Sequence, residues 1–451
     1  MKRRLALPNT AALTAALLLL PAAGLLIWPR PQAQGLAKLL PQIQLLQSFG
    51  ASGARPLPVL WRERLGTAAP ALWQRQQGTW WQFWGAHGAA GAYLALPAPS
   101  LSGVPAASLP VPPLVVGNLA VLAADPLARQ ALAERLAAVV RPQRGLEQRC
   151  LEQLRRPQAV YWSGAGLGSL AGPVAPLLQR LQQGCLSLQL RGLSLDFSGE
   201  AAAASGVLAQ PAPARWQPST RPLPQDVLLE LQGPSLEVLL QGLLARQLVR
   251  EPLAARYGIS DAQLALLRRL PFVLRLRELA GGTFQAGLEL ELAPAARDRQ
   301  AWARLLAGLR APLQQQGLQE PLPALQGLTT PRLSATGALP SARFRDEAGG
   351  EVGGWRWVLP GGRSQEPRLL LYLGPQPGPQ PQSLLGVAGP AQTSAELRLR
   401  ARPASLNRMG LWPQEFPQLI KDADQLELVA GAGAVAPISQ LSGRLELSRT
   451  R

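Results

Sequence analysis

The sequence predicts an α+β protein in which antiparallel sheets carry helices on one face, built from β–helix–β–β units behind an N-terminal transmembrane helix. Three observations carry that prediction. An order of strand, helix and hairpin recurs between Gln158 and Ser448. Its hairpin segments alternate leucine with polar residues, as a sheet covered on one side requires. The run Leu5–Trp28, preceded by Lys2-Arg3-Arg4, contains no charge and is long enough to cross a bilayer.

The basic residues before that run favour a cytoplasmic N-terminus, with everything after Trp28 on the far side. A cleaved signal is the competing reading. Pro21-Ala22-Ala23-Gly24 would put proline at the third position before the cut, and no A-x-A follows before Gly35, so the uncleaved anchor is preferred. No later segment is apolar for long enough to span.

Leu36–Phe49 has apolar residues at helical spacing and is expected to form one helix interrupted by Pro41, with Gly50–Pro58 as a joint. The following block concentrates Trp73, Trp80, Trp81 and Trp84 around Phe83. Two readings are open: rings packing a helix onto the first sheet, with Gly78-Thr79 as helix stop and next N-cap, or interface aromatics facing a bilayer or partner. LVVGNLAVLA after Pro113 reads as a hairpin turning at Gly117-Asn118. Asp125-Pro126 then opens a helix, by N-cap and proline at the first helical position, to about Val140. A second helix is expected near Gly145–Leu154.

The first repeat is a strand at Gln158–Trp162, a glycine-rich turn, a helix at Ser169–Gln183 and a hairpin at Cys185–Phe197. Placing Arg191-Gly192 at the turn pairs Leu190 with Leu193, Leu188 with Leu195 and Leu186 with Phe197. The second copy is a strand at Asp226–Gln232, helices from Ser235 and from Ser260-Asp261, and a hairpin at Phe272–Leu292. That hairpin pairs Phe272, Leu274 and Leu276 with Leu292, Leu290 and Leu288 and sets Arg275 opposite Glu289 on the wet face, a pair worth under about 1 kcal/mol. A helix from Pro294 to near Arg310 closes the copy. The third is Ala395–Ala401, a broken helix from Ser405 to Ile420, and strands at Gln425–Gly431 and Gln440–Ser448, with a further hairpin at Trp355–Pro360 and Pro367–Gly374 before it.

The N-terminal membrane segment, the tryptophan-bearing helix near Trp73–Trp84, the stretch LAVLAADPLARQALAERL (Leu119–Leu136) and the closing LSGRLELS together resemble a family of uncharacterised cyanobacterial envelope proteins, a domain of unknown function. The resemblance spans nearly the whole chain after the anchor and carries over no catalytic residue. The domain plan is 1–30 as anchor or signal, 31–110 as linker and tryptophan-rich helical region, and α+β subdomains at 111–215, 216–325 and 326–451.

Among 451 residues His87 is the only histidine, so no multi-histidine metal cluster and no HExxH helix exists. There is no G-x-S-x-G and no phosphate-binding G-x-x-x-x-G-K-[ST]. Gly164–Ser169 lacks the last glycine of G-x-G-x-x-G, and the strands after it form a hairpin rather than a parallel unit, which argues against a dinucleotide. Glu289 and Glu291 share a strand face and could mimic paired carboxylates, but Arg275 opposite makes surface ion pairing the simpler reading. Cys150 and Cys185 either pair in an oxidising compartment or remain two buried thiols.

The formal charge of +18 comes from scattered arginines rather than a stripe, so anionic lipid is a better partner than nucleic acid. The expectation is a non-enzymatic, cofactor-free protein. It is held in the inner or thylakoid membrane by its N-terminal helix, with the bulk of the chain periplasmic or lumenal. There it binds or scaffolds envelope proteins or lipids. The alternative is a carrier or chaperone for a lipid or other apolar ligand, which needs an apolar cavity that its own helices leave unfilled.

Overall fold

The computed structural model describes residues 33–448 apart from 54, 86–90, 139–143, 172–177, 179–180, 204–221, 238, 240–246, 269, 282–283, 322–340, 360–365, 379–394, 413–416 and 434–437. The run Leu5–Trp28 and His87 lie outside the described residues. Among the described residues no helix is long and apolar enough to cross a membrane.

Along the chain, β1 (Ile43–Phe49) is followed by helices Val59–Leu65 and Ala69–Arg75, β2 (Trp80–Gly85) and β3 (Tyr93–Pro97). A small hairpin of β4 (Leu114–Val116) and β5 (Leu119–Leu122) precedes helices Pro126–Leu136 and Leu146–Leu154. Next come β6 (Ala159–Trp162), helix Gly164–Ala171, β7 (Gln183–Arg191) and β8 (Ser194–Ala202). Then β9 (Val227–Gly233) leads through helices Gln247–Tyr257 and Asp261–Arg268 to β10 (Phe272–Glu278) and β11 (Ala286–Leu292). Helix Arg299–Gln315 leads to β12 (Ala342–Arg345), β13 (Glu351–Val358) and β14 (Arg368–Leu373). The chain closes with β15 (Ala395–Ala401), helices Pro403–Arg408 and Gln418–Lys421, β16 (Ala423–Ala432) and β17 (Ile438–Leu447).

These strands form one 17-stranded sheet rather than three. Its pairings, all antiparallel, give the spatial order β4-β5-β3-β2-β1-β6-β7-β8-β17-β16-β15-β9-β10-β11-β14-β13-β12. The strand–helix–hairpin order recurs at β6-β7-β8, β9-β10-β11 and β15-β16-β17, as the sequence predicts, and once more at β1-β2-β3, in the region read as a linker and helices. The last unit sits between the two before it. First strands meet first strands at β1–β6 and β15–β9, and last strands meet at β8–β17.

Register carried from strand to strand puts the helices of all four units on one face. There Trp61, Leu65 and Leu72 meet Trp80 and Leu94, while Trp302, Leu305 and Leu306 meet Phe272 and Leu369. On the same face an apolar row runs through Leu428, Leu399, Leu231, Leu274, Leu290 and Leu371 to Trp355. The opposite face is roofed around β1–β3 and β6 by helices Pro126–Leu136 and Leu146–Leu154, through Leu132, Leu136 and Leu154.

The turn at Gly117-Asn118 forms as expected, and Asp125 caps its helix by accepting from the Ala128 amide at 2.8 Å. Several local expectations need correcting. Residues 43–49 are a strand, not the end of a helix. β1 is central and buried on both faces, so it lacks the alternation that marks a half-buried strand. Thr79 precedes β2 instead of a helix, so Trp80, Trp81 and Trp84 are strand residues. Trp80 packs on Trp61 and Trp73 with centroids 5.5 and 6.0 Å apart, and Trp81 lies on the other face beside Phe83. Trp73, Trp80 and Trp81 are buried in the core, where an interfacial belt would need them at the surface; Trp84 is half-buried.

The β7–β8 turn is Gly192-Leu193, with Gly192 at φ 61°, so Leu190 faces Leu195 and Leu188 faces Phe197. A shift of two residues preserves the leucine face, but Leu190 and Leu193 at the tip are exposed. The Phe272–Leu292 hairpin has the predicted register. The helix expected from Pro294 to Arg310 instead runs Arg299–Gln315 and carries Pro312 inside its last turn.

Cys150 and Cys185 are disulfide-bonded, with Cα atoms 5.6 Å apart, tying helix Leu146–Leu154 to β7. Replacing both by serine removes a crosslink between residues 35 apart in sequence and should cost about 4 kcal/mol on a loop-closure estimate. Urea unfolding of the two forms measures this, and equal midpoints would show the clamp to be dispensable.

Candidate apolar-ligand pocket

Helix Arg299–Gln315 places Trp302, Leu305, Leu306, Leu309 and Leu313 on one stripe, and the first three are buried against the sheet. Its C-terminus is closed by Gly317 at φ +84°, where a side chain would be strained. The Gly317 amide donates to the Gln314 carbonyl at 3.0 Å and the Leu318 amide to the Leu313 carbonyl at 3.2 Å. This is the Schellman pattern, which turns Leu318 back toward Leu313.

Beneath that turn the sheet presents Leu288 opposite Leu373 and Leu290 opposite Leu371, with Trp355 next in the row. Phe344 on the edge strand lies against Trp355, ring centroids 5.4 Å apart. A Cβ at Gly354 would collide with the Ala342 carbonyl, so glycine there lets the strands close up. Helix end and sheet do not meet completely. Between them is a cavity of about 300 Å³ lined by these leucines, Phe344, Val352 and Trp355. Leu373 is 58% exposed and marks the strand end of its floor. An engineered cavity of about 150 Å³ accepts benzene, so this one has room for roughly ten to twelve carbons. Each buried methylene contributes about 0.8 kcal/mol.

The reverse side of the sheet is ionic from β8 to β11. A single register row carries Asp196, Arg444, Glu427, Arg400, Glu230, Arg275 and Glu289 on adjacent strands, alternating in sign. The row is not a wet surface at its centre: Arg275 is 5% exposed and Glu289 3%. Nor does Arg275 bond to Glu289 as the sequence suggests. Arg275 meets Glu230 at 2.5 Å, Arg400 bonds to the same carboxylate, and Glu289 pairs with Arg277 at 2.6 Å. Glu291 faces Arg368 at 3.7 Å. Glu289 and Glu291 are therefore structural ion-pair partners.

The glycine run Gly164–Ser169 is helical rather than a loop, and Gly166 sits so close to the Gln44 carbonyl that a Cβ would collide with it. Its glycines serve helix–strand contact. Among the described residues no group of three or more His, Cys, Asp or Glu side chains is placed to hold a metal ion.

Burial by itself raises the Glu230 carboxyl, and the Arg275 and Arg400 guanidiniums outweigh it, holding its pKa below the ordinary carboxylate value. A depressed pKa contributes stability that is complete above the ordinary value and is lost as pH falls toward the folded-state value. Glu230→Gln leaves two guanidiniums facing a neutral amide and should cost about 3–5 kcal/mol near pH 7. Because the amide does not titrate, the gap from the parent protein should narrow on acidification. Chemical unfolding across the acid range reads both, and a pH-independent gap would contradict this assignment.

No family model, no curated protein and no solved structure matches the chain.

Proposed function

We propose that the protein is a non-catalytic carrier of a single-chain lipid or similar apolar ligand. Leu5–Trp28 tethers it to a membrane, and the described part lies on the non-cytoplasmic side. The observation that carries this reading is the half-open apolar groove that the described residues leave between Leu313, Leu318 and the β11–β14 leucines. An open apolar groove of this kind is a common ligand-binding feature, because apolar surface left exposed to water gains by being covered. The disulfide supports the compartment, since such bonds persist where the environment is oxidising. Kinship with the cyanobacterial envelope family and an inner or thylakoid membrane belong to the same proposal.

The test is photolabelling of the full chain with a diazirine-bearing fatty acid, followed by peptide mapping. Labelling is expected on peptides containing Leu288–Leu290 and Leu313–Leu318, with competition by dodecanoate. Leu318→Trp should fill the cavity and lower affinity by about tenfold, or about 1.4 kcal/mol. Labelling that is diffuse, or indifferent to Leu318→Trp, would leave the scaffolding reading instead.

A further inference from the structure

Antiparallel pairing fixes which turns share an end of the sheet. The Gly117-Asn118, Gly192-Leu193 and β10–β11 turns, the β15–β16 connection and the last residue of β14 all fall at one end. That end carries Leu190, Leu193, Phe284, Leu373, Leu411 and Leu419, all exposed. Leu127, which is 76% exposed, begins the helix that follows the opposite end of β5. Exposed apolar side chains also occur elsewhere, at Val59, Leu248 and Leu359 among others, but a group gathered at the end of the sheet where the described chain enters marks a contact surface.

Two further observations say what covers it. The described chain begins at the same end: Gly35 packs so tightly on the Gly117-Asn118 turn that a Cβ on it would strike the Asn118 side chain. The uncharged run Leu5–Trp28 lies only a few residues before that point. Arg191 sits at the β7–β8 tip between Leu190 and Leu193, with its guanidinium 3.8 Å from Asp196 and with Asp424 and Glu446 beside the tip. Leu288 and Leu373, which line the cavity, belong to this end as well.

We infer that this end of the sheet rests on a lipid bilayer, with the Leu190–Leu193 tip and Leu419 entering the interface and the apolar cavity facing the membrane surface. The inference rests on the membrane tether of the proposed function, though not on the identity of the ligand. An arginine among leucines is a side-chain set that a lipid interface takes up, with the guanidinium at headgroup level and the leucines beneath it.

The experiment labels the full chain with an environment-sensitive fluorophore at Leu193→Cys, Leu419→Cys or, as control, Leu127→Cys. All three positions are exposed, and the native cysteines are bonded and buried, so only the new thiol reacts. Each protein is reconstituted into vesicles of phosphatidylcholine and phosphatidylglycerol. The first two probes should shift to the blue and be quenched by lipid-borne quencher, while the Leu127→Cys probe stays water-like. Protein that floats with the vesicles while all three probes stay water-like would overturn the docking and leave the tether intact. Protein that fails to float would overturn both. Equal quenching at all three positions would also sink the assignment of one end.

Discussion

The constraint on which the sheet depends is the convergence of two guanidiniums on the buried Glu230 carboxylate. β9 stands between β10 of its own unit and β15 of the last unit, and Arg275 and Arg400 approach from those two neighbours. A buried carboxylate needs such partners, and they need it. The triad therefore specifies the same β10–β9–β15 register as the leucine packing on the other face. A slip by one residue would drive Glu230 into the helix-covered face and Leu229 and Leu231 out of it. Because the β15-containing unit then joins β8 through β17, the same register propagates across the seam between the two halves of the sheet.

The two faces of this sheet have separate roles as a result. One is continuously apolar and collects the helices of every unit, so any ligand space must arise where a helix falls short of it, as beyond Leu313. The other is roofed by two helices at one end and held by alternating charges at the other. An ionic row among strands specifies pairing without requiring a helix above it, although its net contribution to stability is smaller than the number of ion pairs suggests.

Much of this was legible in the residues. The Phe272–Leu292 hairpin could be placed in register because a two-residue turn would have set leucines against glutamates. Asp125-Pro126 announced its helix by capping chemistry that needs no tertiary help. The failures have physical causes. β1 was unreadable because a central strand buried on both sides has no period of two, and β2 was hidden by tryptophans that point to both faces. The Arg275–Glu289 pairing was correct as geometry and wrong as chemistry: pattern tells which residues are opposite, but not that Glu230 on the third strand is the better acceptor. The pocket had no sequence signal, since it exists only where a helix end and the four strands β11 to β14 leave a gap.

The order of units in space differs from their order along the chain, and this bears on biosynthesis. β8 and β9 are neighbours of β17 and β15, strands made after both of them. While the ribosome is still extending the polypeptide, both therefore present open backbone edges, flanked by leucine-rich surface that nothing yet covers. The nascent protein is thus two half-sheets awaiting a keystone, at risk of pairing with other chains until the strands between Ala395 and Leu447 arrive.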